Sequence, residues 1–151
     1  MTLACCDFSL KSQMANECRL VLEYMPPVPF IVANTTGIEK GTTLKFADPM
    51  TASQATTDDV VAGIAAKEKI ASDGNTSLSV YRIGRFRGYA SGTITAGDPL
   101  GFADANYLYS NKTKANLSGQ RTAGVALETA SDGDTFLFEL NPQSVVQFVA
   151  A

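Results

Sequence analysis

The sequence predicts an all-β fold: a small barrel or bent ribbon built from an internal duplication and entered through an extended N-terminal arm. The chain repeats itself, it is punctuated by turn residues between short apolar runs, and its composition suits strands. Gly37–Asp48 reads GIEKGTTLKFAD and Thr93–Asp104 reads TITAGDPLGFAD. Ile38, Gly41, Leu44, Phe46, Ala47 and Asp48 recur as Ile94, Gly97, Leu100, Phe102, Ala103 and Asp104, at an offset of 56. Ala62-Gly63-Ile64-Ala65 recurs as Ala123-Gly124-Val125-Ala126, at an offset of 61. ASDGNTSL, from Ala71, recurs as ASDGDTFL, from Ala130, at an offset of 59. The blocks keep their order, and loop insertions absorb the drift.

The 151 residues are one domain's worth, 45% apolar and only 18% charged, with the Thr, Ser, Gly and Ala content of a folded β-rich chain. Residues 1–29 stand outside the repeat. Cys18, Leu20, Leu22 and Tyr24 alternate with Glu17, Arg19, Val21 and Glu23, the period of a short strand. Met25-Pro26-Pro27-Val28-Pro29 then imposes an extended path that cannot donate to a central ladder. The segment is therefore an arm reaching a partner or an edge strand on its own domain.

Residues 30–151 form the duplicated β-domain, copy one spanning about 37–81 and copy two about 93–140. Phe30-Ile31-Val32-Ala33 begins it as a buried strand. In each copy an isoleucine precedes a turn at Gly41 or Gly97, where glycine permits positive φ. The next strand aims Leu44 and Phe46, or Leu100 and Phe102, at one face. A variable loop and the Ala-Gly-Ile/Val-Ala strand follow, its glycine marking a bend or a close backbone approach. Asp73-Gly74 and Asp132-Gly133 then signal hairpin turns. Residues 58–70 also carry helix signals, acidic residues first and lysines last. The shorter second copy, TAGVALETA, decides for a strand.

Catalytic chemistry is scarce. The chain has no histidine, which removes the histidine-based nucleophile triads and the commonest general base. Three cysteines bunched at one end, Cys5, Cys6 and Cys18, give no spaced metal set and no disulfide framework, so reduced thiols are expected. No phosphate-binding glycine loop precedes a helix. Asp48, Asp73, Asp104, Asp132 and Asp134 read as turn caps rather than as calcium ligands or an acid–base pair. No cofactor and no metal are expected. The net charge of −3 argues against nucleic acid, and no apolar run has the length of a membrane span. No basic segment precedes a long apolar run, so no export signal is expected, and the sequons at Asn34, Asn75, Asn111 and Asn116 carry no weight. Arg85, Arg87 and Tyr89 share one strand face, opposite Phe86 and Ala90. That face is a protein interface or a plain solvated surface.

Ile94-x-x-Gly97-Asp98-Pro99-Leu100, Thr122-Ala123-Gly124-Val125-Ala126-Leu127-Glu128 and the Gly133-Asp134-Thr135 turn together resemble the capsid decoration (cement) proteins of tailed phages, over roughly residues 30–140. The resemblance implies a compact β-barrel or β-tulip-like domain, made in the host cytoplasm and assembled as a homotrimer at threefold positions on the outside of the expanded capsid. There it would clamp neighbouring subunits of the major capsid protein against internal DNA pressure, with a terminal arm joining the contacts. By position the arm role falls on residues 1–29, with Phe8, Leu10, Leu20, Leu22 and Tyr24 as apolar anchors offsetting the entropy of ordering, beside Arg85, Arg87 and Tyr89. Deleting residues 1–24 should then leave a folded domain without capsid binding.

The shared I-x-x-G-x-x-L element also occurs in β-clip domains. One alternative is thus a small β-clip module that binds carbohydrate or peptide through Tyr107 and Tyr109. Another is a dUTPase-like enzyme, for which the acidic and glycine-rich nucleotide motifs are missing, so no triphosphate hydrolysis is expected. Head–tail joining or fibre roles in the virion share the same sequence features.

Overall fold

The computed structural model describes residues 17–48, 50–56, 60–111 and 121–144. The chain is all-β, with eleven strands among the described residues. After β1 (Arg19–Glu23) come five strands: β2 (Val28–Ile31), β3 (Thr43–Asp48), β4 (Thr51–Gln54), β5 (Val61–Ala65) and β6 (Ser77–Tyr81). They close into a barrel in the order β2-β4-β3-β5-β6. The remaining strands are β7 (Gly84–Ala90), β8 (Pro99–Phe102), β9 (Tyr107–Ser110), β10 (Arg121–Ala126) and β11 (Thr135–Ser144). They run in the order β7-β11-β10-β8-β9, and a β7–β9 pairing closes this second ring.

The two rings repeat each other pairing for pairing. In ring one β2–β4 is parallel and the other contacts are antiparallel; in ring two β7–β9 is parallel and the rest antiparallel. Even the isolated bridges match, Ile38 with Lys69 and Ile94 with Ala130. The turn glycines behave as their sequence positions demand, with φ of 86° at Gly41 and 94° at Gly97. Closure removes most open sheet edges, the usual hazard of a small β-protein. Pro26, Pro27 and Pro29 stand at the start of β2, where they offer no N–H to a further strand.

Each ring has its own core. Phe30, Val32, Ile38, Leu44, Leu78 and Val80 fill ring one. Phe86, Leu100, Phe102, Leu108, Phe136, Phe138 and Leu140 fill ring two, joined by Ala55, Val61 and Ile64 of ring one. Strand β5 is therefore buried along its whole length. A strand covered on both faces loses the apolar–polar alternation that identifies strands. That is why VAGIA competes with a helix in the sequence, and only its repeat settles it. A polar contact ties the rings as well. The buried Asn106 Oδ1 accepts from Thr43 N at 3.0 Å and from Thr43 Oγ1 at 3.1 Å. Asn106 holds φ of 67° to do so, a region that asparagine tolerates better than most residues.

Residues 19–23 form an edge strand on ring two. β1 pairs antiparallel with β7, Leu20 opposite Phe86 and Leu22 opposite Arg85, with a register shift between Leu20 and Leu22. The bulge breaks the period-two expectation. Leu20 packs against the ring-two core, whereas Leu22 is exposed.

Cys18 lies just before β1 as a free, buried thiol. Burial, and then the charge of Glu17, push its pKa up to about 12 from 9.0. Maleimide at pH 8, followed by peptide mass mapping, should leave Cys18 unlabelled in the native protein and label it fully in denaturant. Rapid native labelling contradicts this burial. The pKa is raised in the folded state, so its contribution to stability is complete below the unfolded value and is lost as pH climbs from about 9 toward about 12.

Candidate functional site

The outer face of ring two gathers most of the side chains singled out in the sequence. β7 alternates strictly: Gly84, Phe86, Gly88 and Ala90 are buried, while Arg85, Arg87 and Tyr89 are half-buried on the outside. Paired residues in antiparallel strands share a face. The register therefore lines up Leu22, Arg85, Glu139, Val125 and Pro99 across β1, β7, β11, β10 and β8. A second row sets Arg19 beside Arg87 and Arg87 beside Leu137.

Arg85 and Arg87 make their contacts within the chain. Arg85 Nη2 donates to the Tyr24 hydroxyl at 2.8 Å, and its guanidinium lies 5.8 Å from the centre of the Tyr24 ring. Arg87 Nη1 donates to Glu128 Oε1 at 3.3 Å. The same oxygen accepts from Leu137 N at 3.0 Å. Glu128 thus offsets the repulsion between the neighbouring Arg19 and Arg87 and anchors the strand beneath. As a half-exposed pair it contributes at most about 1 kcal/mol. Tyr81 OH donates to Glu23 Oε1 at 3.4 Å, and both desolvation and the Glu23 carboxylate raise the Tyr81 pKa.

The large apolar side chains here stay exposed, Tyr24 among them despite its contact with Arg85. Val21 is 52% exposed, Leu22 49% and Tyr24 41%, Met25 is exposed beside them, and Val125 and Leu127 are exposed across β7 and β11, at β10. Six of the ten exposed large apolar side chains among the described residues lie on or beside β1 and β10. Monomeric surfaces seldom gather apolar groups in this way without a partner.

The other candidates divide. Phe8 and Leu10 lie outside the described residues. Leu20 is a packing residue of the core. Tyr89 meets Tyr107 edge-on, ring centres 6.4 Å apart, so the face continues onto β9. Tyr109 pairs with Gly101, and its ring covers the spot where a Cβ on Gly101 would sit, 2.8 Å away. The aspartates cap turns: Asp73 Oδ1 accepts from Asn75 N at 2.8 Å, Asp132 Oδ1 from Gly92 N at 2.7 Å and Asp134 Oδ2 from Ser131 N at 3.3 Å. The bond from Asn75 N is the main cause that lowers the Asp73 pKa. Asp104 lies exposed in a 3-10 turn, and the Asp48 side chain lies outside the described residues.

A family model described as phage cement protein matches residues 26–140. The chain belongs to the phage cement protein family. It is a capsid accessory protein of the phage virion. Among solved structures, the fold of this cement protein is similar to that of the head fiber gp8.5 N base in bacteriophage phi29. The TM-score is 0.52 and the identity 18%, covering 78% of this chain and 95% of that chain. No curated protein matches the sequence. The family match covers both rings and includes Arg85, Arg87, Tyr89 and Glu128, while β1 and Tyr24 lie before it. Glu128 was quoted in the sequence only as part of a motif, and Val125 and Leu127 carried no separate signal. What joins them to the face is the pairing of β10 with β11, which no local pattern states.

Proposed function

We propose that this cement protein clamps neighbouring subunits of the major capsid protein on the outer surface of an expanded phage head, as a homotrimer. Its capsid contact is the outer face of β1, β7, β11, β10 and β8. The observation behind this reading is the exposure of Val21, Leu22, Tyr24, Met25, Val125 and Leu127 on either side of Arg85, which holds Tyr24, and Arg87, which is paired with Glu128. Exposed apolar groups flanking arginine and tyrosine suit a protein interface. Repetition of the contact within a trimer strengthens a weak single interface through effective concentration.

Removing residues 1–24 does not test this, since it strips Cys18 and Leu20 from the core. The double variant Leu22→Glu with Val125→Glu places charge on two exposed positions in one row and leaves the core intact. On expanded capsids lacking the protein, it should lose about tenfold in affinity at unchanged Tm. Wild-type occupancy by the folded double variant sinks the assignment of this face. Native mass spectrometry should give a trimer mass.

The likeness to a head fiber base supports a second reading, in which the protein anchors a fibre. Quantitative mass spectrometry of purified particles separates the two. Copy number near that of the major capsid protein supports cementing, and a handful of copies supports a fibre base.

A further inference from the structure

At one end of ring one, Lys69 is fully buried although it carries an ammonium group. Its Nζ donates to Asn34 O at 2.8 Å, Thr36 O at 3.1 Å and Ile70 O at 3.2 Å. All three N–H bonds of the ammonium are thereby used. Asp73 Oδ1 stands on a fourth side at 3.5 Å. Three carbonyl oxygens and one carboxylate converge on a single positive point, a set of hard oxygen donors matched to an ammonium.

The oxygens come from two segments, the 34–36 loop and the 70–73 turn. The bridge between Ile38 and Lys69 and the bond from Ser72 N to Asn34 O flank them. In ring two the equivalent bridge residue is Ala130, so the same turn closes there without a cation. Ring one thus differs from ring two in holding an ammonium at this turn.

We infer that the oxygen cage at Asn34, Thr36, Ile70 and Asp73 is a cation-binding site held by a tethered ammonium, and that it accepts a free primary alkylammonium once the tether is removed. Tethering supplies the cation at a high effective concentration, which makes the site full at every salt concentration in the wild type. The Lys69→Ala change removes Cγ, Cδ, Cε and Nζ, the atoms of n-propylammonium, and leaves their space and the four oxygens in place.

The test is the Tm of Lys69→Ala with n-propylammonium chloride at about 0.1 M, against tetramethylammonium chloride at equal ionic strength and 1-propanol at equal concentration. Propylammonium alone should raise the Tm, by about 3–5 °C when it is tenfold above its Kd. Tetramethylammonium has no N–H to donate, and propanol has no charge. Lys69→Met, whose side chain fills the same space, should respond to none of them. Equal shifts with propylammonium and tetramethylammonium overturn the site, as does a shift in Lys69→Met. If Lys69→Ala does not fold unaided, the readout is refolding yield. Failure of propylammonium to raise that yield above the two controls overturns the site equally.

Discussion

Gly124→Ala should abolish soluble, folded protein, the largest effect expected of any single methyl group in the described residues. Gly124 sits in the middle of β10 with φ of 155°, where a side chain is strained whatever the space around it. It pairs with Leu140 on one side and Leu100 on the other. A Cβ there collides with the Glu139 carbonyl oxygen and lies 2.8 Å from the carbonyl carbon. The obstacle is backbone, so no rotamer change relieves it. β11 must move away from β10, and β11 carries Phe136, Phe138 and Leu140, all fully buried. Strain, broken ladder bonds and lost packing add to more than about 4 kcal/mol, against a total stability of about 5–15 kcal/mol. Gly133→Ala is the control. Gly133 has φ of 85° but nothing within 4 Å of a Cβ, so it should cost only the backbone penalty of about 1–2 kcal/mol. Gly63→Ala should behave like Gly124→Ala, because the same position in ring one faces the Tyr81 carbonyl oxygen. Soluble yield and thermal melts of the three variants decide the matter. A Gly124→Ala melt close to that of Gly133→Ala shows that the close approach of the two strands is not needed for the fold.

Gly63 and Gly124 also show why the fold was so legible. Glycine at the same place in both copies, inside an apolar run, states a close backbone approach, and the structure places a carbonyl there each time. The Gly41 and Gly97 turns and the Asp-Gly hairpins are equally local, each fixed by what a single residue can adopt. The contact face was legible only in part. Alternation along Gly84–Ala90 is visible in the sequence, so the common face of Arg85, Arg87 and Tyr89 could be read. Leu20 and Leu22 look equivalent by period two, and only the bulge against β7 separates a core residue from an exposed one. Glu128 reaches Arg87 through strand pairing between residues 41 apart in sequence, and no periodicity carries that. The duplication itself hid Lys69, since the repeat matches Ala130 with Ala71, and only the bridge from Ile94 puts Ala130 in the place of Lys69.

Lys69→Met should cost about 3 kcal/mol, or about 6–12 °C in Tm for a chain of this size. Methionine fills most of the volume of the lysine stem, so the loss is that of the ammonium rather than of packing. The carbonyls of Asn34, Thr36 and Ile70 and the carboxylate of Asp73 lose the group that draws them together. Asn34 O keeps its bond from Ser72 N at 2.7 Å, so the burden falls on Thr36 O and Ile70 O. An acceptor left unmet costs about 1–3 kcal/mol when buried. Thr36 and Ile70 are themselves exposed, so water relieves part of that cost, and the two together give the figure above. The damage should be local before it is global. Hydrogen exchange should quicken at the Ile38, Lys69 and Ser72 amides of ring one, and should change little at the Ile94, Ala130 and Gly133 amides that hold the matching turn of ring two. Lys67→Met, at an exposed neighbour, should stay within about 0.5 kcal/mol of wild type. Uniform quickening in both rings would show that Lys69 stabilises the whole domain rather than this one turn. An unchanged melt would show that the turn closes without any cation, as the turn at Ala130 does.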